Sequence, residues 1–385
     1  MRKRRYAYGA TIAALAMVVL AACSGNNSGS SVAASGSVAA SAQASASTLK
    51  IGVVTDVGTV NDKNFNEYSY KGAQAGAQDL GESSNVPYAV PKDASEYASL
   101  IQSFVSQNFD IIVTVGFNLT NDTIKAAKAN PNTWFIGVDQ APICVDPKGN
   151  PDSTFACKGD AATLLPHYVA LGFEEDQAGY LAGIVAASVS KSGVIGAIGG
   201  ITICAPCVRY IQGYELGAKS VNPNIQVKTA YITTSDFTKA FGDPVTGKNF
   251  AKQFIAANHP DVLFQVAGNT GNGILDAACD AGIYAIGVDV DQFLSYPNAD
   301  KCIITSAEKH LSSAVEQTIK AIAAGTQQPG NSHFDAKNDG IGVSDFHDKA
   351  SLMPSDLQAK LDAALAGMKD GSVKTCPSNC GAPPS

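Results

Sequence analysis

Apolar positions fall in short continuous runs, separated by longer segments of mixed polarity. Residues 49–54 form such a run, closed by polar and Gly residues, as a buried strand does. Residues 62–80 carry a helical spacing, 86–90 read as a strand, 95–107 as a helix and 110–115 as a strand. A helix over 118–129 and a strand over 134–138 follow. Strands that lack in-and-out alternation are buried on both faces, so the pattern predicts a parallel sheet covered by helices. The alternation restarts with a helix at 174–190, a strand at 194–198 and a helix at 208–219. It continues through 225–231, 249–257, 261–266, 274–281 and 284–288.

The restart is an internal echo. Asp110-Ile-Ile-Val-Thr-Val-Gly-Phe-Asn118 is similar to Asp261-Val-Leu-Phe-Gln-Val-Ala-Gly-Asn269, and Phe135-Ile-Gly-Val-Asp139-Gln140 to Ala285-Ile-Gly-Val-Asp289-Val-Asp-Gln292. The spacing nearly matches, 29 residues from Asp110 to Asp139 and 28 from Asp261 to Asp289. The fold class is therefore α/β, with two similar doubly wound parallel-sheet lobes joined by a hinge. Ligands of such sheets sit beyond the strand C-termini, and Asp139 and Asp289 both end strands. With the lobes facing each other, both carboxylates enter one interlobe cleft.

The first residues do not fit this body. Arg2, Lys3, Arg4 and Arg5 precede an apolar stretch over 6–20 that is too short for a comfortable membrane span. Leu20-Ala-Ala-Cys23 resembles the bacterial lipobox, which implies a signal peptide over 1–22 and lipid on Cys23. Residues 23–48 are dominated by Ser, Ala and Gly, a flexible tether. The expected location is the extracytoplasmic face of the cell membrane, held by the lipid anchor. A chain of 385 residues suits two lobes, and 45% apolar with 16% charged residues marks a globular body. Net charge is −7, although four of the 27 basic residues lie in the first five positions. A body this acidic argues against binding nucleic acid by neutralising phosphates, and leaves a small neutral ligand open.

With Cys23 used for lipid, eight of nine cysteines remain, an even number in an exported chain. Many connectivities are open to eight cysteines. Local pairing is the simplest: Cys144 with Cys157, Cys204 with Cys207, Cys279 with Cys302, and Cys376 with Cys380. Cys204-Ala-Pro-Cys207 has redox spacing, but no thioredoxin-like pattern surrounds it, which favours a structural bridge. No His pair stands at ligand spacing near these cysteines, and Asp289 and Asp291 are not expected to share an ion. No metal and no cofactor are expected. Gly-x-Ser-x-Gly, His-Glu-x-x-His and a phosphate loop are all missing from the sequence, so no enzyme is expected.

Five blocks, in order, are similar to signature blocks of the basic membrane protein family. They are Thr55-Asp-Val-Gly-Thr-Val-Asn-Asp-Lys-Asn-Phe-Asn66, Phe173-Glu-Glu-Asp-Gln-Ala-Gly-Tyr-Leu-Ala-Gly183, Ala267-Gly-Asn-Thr-Gly-Asn-Gly273, Gly287-Val-Asp-Val-Asp-Gln292 and Thr305-Ser-Ala-Glu-Lys309. Members of that family are lipoproteins that bind purine nucleosides and feed ATP-driven importers. The resemblance spans roughly residues 49–373 and implies the type I periplasmic-binding-protein fold with three crossings between lobes. The N-lobe would be 49–172 plus 307–330, the C-lobe 173–306 plus 331–375, and 376–385 a tail. Residues 141–168 and 233–240 are longer than the family's usual connections.

A nucleoside offers an aromatic base, a ribose diol and no charge. By resemblance, Asp56, Phe65, Asn66 and Asp139 are the N-lobe contacts, with Phe65 stacking on the base and Asn66 meeting its edge. Asn61 is expected to cap the helix beginning near Asp62. Phe241 lies in an aromatic-x-Asp-Pro-x-x-Gly-Lys block that resembles the family's and closes on the base from the C-lobe, with Phe237 the alternative. Asp289 accepts both ribose hydroxyls, Lys309 neutralises it, and the glycines from Gly268 to Gly273 bring backbone N–H groups toward the ligand. The implied protein is a substrate-binding component that hands a nucleoside to an ABC permease and its ATPase. A ribose-like sugar as ligand, or a surface sensor or adhesin on the same fold, are the alternatives.

Overall fold

The computed structural model describes residues 49–384. The signal segment, Cys23 and the tether lie outside the described residues. Among the described residues no helix is long and apolar enough to cross a membrane.

Two six-stranded sheets form the frame. The first contains β1 (Ile51–Val54), β2 (Tyr88–Ala89), β3 (Ile111–Val115), β4 (Trp134–Val138) and β5 (Tyr168–Phe173). The second contains β6 (Val194–Ile201), β7 (Gln226–Thr233), β8 (Val262–Val266), β9 (Tyr284–Asp289) and β10 (Ile303–Lys309). A late strand then returns to each: β11 (Gly330–Phe334) to the first and β12 (Ile341–Val343) to the second. The orders are β11-β5-β4-β3-β1-β2 and β12-β10-β9-β8-β6-β7. Every pairing is parallel except β10 with β12. Central strands such as Ile-Ile-Val-Thr-Val over β3 are buried throughout, as covering both faces requires.

Apolar side chains sort by face. Ile111, Val113 and Val115 join one cluster with the helices Phe65–Asp79 and Leu311–Ala323, while Ile112 and Phe135 join another with Tyr97–Ser106 and Thr120–Ala129. The same division recurs in the second sheet, where Ile198, Leu263 and Ala285 pack under Pro244–Asn258 and Gly268–Asp280.

Several expectations are corrected. The lobe boundaries expected at 172/173, 306/307 and 330/331 fall inside strands. Phe173 completes β5 opposite Phe334, Ala307–Lys309 complete β10 opposite β12, and Asn331–Phe334 run along β5. The sheets therefore change over at Phe173, Lys309 and Phe334, where ladder partners run out. The strand expected over 86–90 shrinks to two residues, because Pro87 and Pro91 lack the N–H a ladder needs. Strand β9 ends at Asp289, so Asp291 does not continue it. Asp291 instead caps the short helix Gln292–Ser295 and meets His347 Nε2 at 2.7 Å.

Helices Glu175–Val189 and Ala205–Val221 are pressed together by glycine. A Cβ on Gly183 would lie 2.1 Å from the Tyr214 carbonyl oxygen, and one on Gly213 2.0 Å from that of Asp176. Overpacking of this kind costs about 1–3 kcal/mol. The close approach fixes which side chains of the first turns meet at the strand ends. The eight cysteines pair as Cys144–Cys157, Cys204–Cys207, Cys279–Cys302 and Cys376–Cys380.

Candidate functional site

Two matching strand ends build the site. After β4 and at the end of β9 the backbone turns left-handed at Asp139 (φ 58°) and Asp289 (φ 66°), a conformation Asp tolerates better than most residues. A buried glutamine braces each turn. Gln140 Nε2 donates to the carbonyls of Thr114 (3.2 Å) and Gly116 (3.1 Å), and Tyr168 donates to Gln140 Oε1 at 2.7 Å. Gln292 Oε1 accepts from the Val288 N–H (3.0 Å) and from Gln265 Nε2 (2.5 Å). A Cβ on Gly137 would sit 2.3 Å from Gln140 Oε1, and one on Gly287 2.8 Å from Gln292 Oε1, so each brace needs its glycine.

Lys309, the last residue of β10, lies between the two carboxylates and is buried. Its Nζ is 2.5 Å from Asp139 Oδ2, 3.3 Å from Glu175 Oε1 and 3.6 Å from Asp289 Oδ1. Burial works against the ammonium, yet the three carboxylates hold its pKa above the ordinary lysine value. Burial pushes Asp139 up to about 6 despite Lys309, and raises Asp289 against the same opposition. Burial would also raise Glu175, but Arg209, with Nε at 2.6 Å, and Lys309 hold it below the usual range. Tyr210 donates to Asp289 Oδ1 at 3.2 Å.

The cleft encloses about 590 Å³ of empty space, part of it open to solvent. Phe65, Phe117, Phe241 and Tyr210 supply flat apolar walls. The Phe65 ring centre is 5.3 Å from Lys309 Nζ, within cation–π range. Asn66 Nδ2 donates to Asp62 Oδ2 (3.0 Å) and to the Val57 carbonyl (3.2 Å), leaving Asn66 Oδ1 buried without a partner among the described residues. Asp139 Oδ1 is orphaned in the same way. Burial, then the neighbouring Asp62, holds the Asp56 carboxyl well above the usual range. Among the described residues in and just behind the cleft, Asp62, Asp139, Glu175 and Asp289 face Lys309 and Arg209 as cations, while burial holds Asp56 toward its neutral form. That balance repels an anion. The orphaned acceptors ask for a ligand that brings N–H or O–H donors.

All eight expected ligand residues come together here: Asp56, Phe65, Asn66, Asp139, Phe241, Gly268, Asp289 and Lys309 all line this cleft. Phe237 lines an adjoining outer cavity of about 1520 Å³ and stacks with Phe241 at 6.5 Å. Asn61 is no cap. The helix starts at Phe65, and it is Asp62 that accepts the N–H groups of Asn64, Asn66 and Glu67 at 2.9–3.0 Å. Of the glycines in 268–273 only Gly268 reaches the cleft. Gly271 and Gly273 make room for Gln265 and the Pro244 carbonyl. Sequence reasoning passed over Phe117, Tyr210, Glu175 and Arg209. Phe117 stood in the echoed segment, and the paired Gly-x-x-x-Gly spacings at 179/183 and 213/217 signal the helix contact that assembles the other three.

The lobes touch around the cleft: Asn272 Nδ2 donates to the Asp62 carbonyl at 3.3 Å and Ser295 Oγ to that of Lys63 at 2.8 Å. Two parallel-sheet lobes clasping a buried cleft at their strand C-termini are the architecture of solute-binding proteins. A solved ABC transporter solute-binding protein from Aeropyrum pernix superposes with a TM-score of 0.71 at 22% identity, covering 85% of this chain and 92% of that one. The chain belongs to the family of PnrA-like ABC transporter substrate-binding proteins (Bmp), whose pattern it matches over residues 49–365. It is 28% identical to a CD4+ T-cell-stimulating antigen of Listeria innocua over 392 residues, covering 97% of this chain and 99% of the relative. It is also 28% identical to the ABC transporter nucleoside-binding protein BmpA of Lactococcus lactis over 380 residues, with 94% and 97% covered. The protein is thus a substrate-binding protein of an ABC transporter and not an enzyme.

Proposed function

We propose that this protein captures an uncharged nucleoside, a purine nucleoside foremost, in the interlobe cleft and presents it to an ABC permease while anchored to the membrane by lipid on Cys23. The observation that carries the reading is the pair of orphaned buried acceptors, Asp139 Oδ1 and Asn66 Oδ1, inside a cleft walled by Phe65, Phe117 and Phe241. A ribose diol donates to the strand-end carboxylates Asp139 and Asp289. A base slides between the phenyl walls, with its edge at Asn66. The excess of carboxylates over cations disfavours nucleotides and sugar phosphates. The similarity to a nucleoside-binding relative from Lactococcus lactis supports the same ligand class.

Calorimetric titration with purine and pyrimidine nucleosides, free bases and ribose tests the reading. A purine nucleoside should bind tightest, and Phe65→Ala should cost it about 1–3 kcal/mol while leaving ribose little changed. Ribose binding as tightly as any nucleoside would overturn the assignment in favour of a sugar. For the anchor, Cys23→Ser should move the protein from the detergent phase to the aqueous phase. Unchanged partitioning would remove the lipid from the account.

A further inference from the structure

The Cys-Ala-Pro-Cys segment forms part of the cleft wall, and nucleoside capture as described leaves its sulfurs unused. Cys204 and Cys207 are bridged and buried, and both line the cavity together with Pro206. The bridge closes the first turn of helix Ala205–Val221, where Cys204 Sγ accepts the Cys207 N–H at 3.2 Å. Two and three residues beyond Cys207 stand Arg209, paired with Glu175 at 2.6 Å, and Tyr210, bonded to Asp289 at 3.2 Å. On the helix's other side, Gln212 Oε1 accepts the Gly381 N–H at 2.8 Å, beside the Cys376–Cys380 loop. The helix is thus tied to the C-terminal tail away from the cleft and stapled by Cys204–Cys207 at the cleft itself.

We propose that the Cys204–Cys207 bridge is a redox-sensitive positioning element of the ligand site. Closed, it sets Arg209 and Tyr210 against Glu175 and Asp289 and gives the slot an apolar sulfur wall. Opened by a dithiol reductant, it lowers ligand affinity, and bound ligand in turn shields it. One reductant thiolate attacks a bridge sulfur, the S–S bond breaks, and the other cysteine leaves as thiolate. The second reductant thiolate then displaces the first cysteine. The reductant ends as a disulfide, and its two electrons and two protons end on Cys204 and Cys207. Both sulfurs are buried while the lobes touch, so attack requires the lobes to part. A ligand that bridges the lobes opposes that parting. This inference rests on the cleft being the ligand site.

The test is differential alkylation of the wild-type protein during dithiol reduction, with and without ligand. The probe is whichever of a purine nucleoside or ribose binds. With ligand at about 100 times its dissociation constant, opening of Cys204–Cys207 should slow by up to about 100-fold. Cys144–Cys157, in the loop where Phe155 is 82% exposed, is the internal control and should keep its rate. The double variant Cys204→Ala/Cys207→Ala, shown folded by its melting transition, should bind about tenfold more weakly, the scale of roughly one hydrogen bond. Equal ligand effects on the two bridges, or wild-type affinity in the folded double variant, would overturn the proposal. Binding of ribose alone overturns the nucleoside reading, and the shielding comparison is then made with ribose. Binding of neither probe overturns both.

Discussion

The two strand ends that face each other across the cleft share a plan and differ in what surrounds it. Each has a glycine, a left-handed aspartate and a buried glutamine that ties the turn back to its own sheet. On the N-lobe side Gln140 follows Asp139 directly. On the C-lobe side Val290 and Asp291 intervene, and Gln292 opens a short helix. The partners diverge further. Asp139 carries the 2.5 Å contact to Lys309 and an orphaned Oδ1, whereas Asp289 is held by Tyr210 and lies 3.6 Å from the ammonium. Around Asp139 the N-lobe gathers Phe65, Phe117 and Asn66. Around Asp289 the C-lobe gathers Tyr210, the Cys204–Cys207 bridge and Phe241. A repeated turn therefore supplies the frame, and what gathers around it differs, two phenyl rings and an amide beside Asp139 against a tyrosine, a disulfide and one phenyl ring beside Asp289.

The largest effect expected from this asymmetry is in ligand discrimination. A cleft built around hydroxyl acceptors should prefer a nucleoside over its 2′,3′-dideoxy analogue by a factor on the order of 10⁴. Asp289→Ala should close most of that gap. Asp139→Ala should close less of it, because Lys309 holds one Asp139 oxygen at 2.5 Å, more tightly than Tyr210 holds one Asp289 oxygen at 3.2 Å. Calorimetry on both variants with both ligands reads this out. Equal losses would mean that the two ends act alike and that the asymmetry has no bearing on binding.

Lys309 joins the halves, so its removal tests the comparison through stability. Lys309→Met keeps the aliphatic stem and leaves Asp139, Glu175 and Asp289 facing one another without the ammonium. Breaking a buried pair from one side costs about 3–5 kcal/mol, which urea unfolding detects readily. Lys320→Met, on an exposed pair with Asp79, should leave the midpoint in place. If the two variants unfold alike, the ammonium is not the link between the halves.

Much of this frame was legible in the chain because it rests on local chemistry. Continuous apolar runs announced the strands, and the repeated Gly-Val-Asp announced the paired turns before any packing was known. The cysteines lay close enough in sequence for local pairing to be the simplest arrangement. What escaped was set by long-range contact. Glu175, Arg209 and Tyr210 meet only because glycines let two helices touch backbone to backbone. Strand β5 was passed over at the end of a long connection, although Tyr168–Phe173 is itself a continuous apolar run. The lobe boundaries shifted because a strand continues for as long as its neighbour offers hydrogen bonds. The cap expected at Asn61 falls instead on its neighbour Asp62, because choosing between adjacent cap formers depends on where the turn before the helix closes.

The smallest effect, and the sharpest discriminator between the two aspartates, is in pH. In the closed protein burial raises Asp139 to about 6, above its usual value of 3.8. If ionised Asp139 accepts a ribose hydroxyl, binding must release the proton the carboxyl carries at lower pH. Affinity should then fall by up to about tenfold per unit as pH drops below roughly 6. The stability linked to the same group runs the other way. A folded-state value above the unfolded one stabilises the fold below about pH 4, and that contribution is lost as pH rises through 6. Binding should therefore strengthen across the window in which this share of stability declines. Titrations from pH 5 to 7, with unfolding measured over the same range, separate the two trends. In Asp139→Asn the pH slope of binding should flatten, while in Asp289→Asn it should persist. A slope that survives Asp139→Asn and disappears in Asp289→Asn would exchange the roles of the two strand ends.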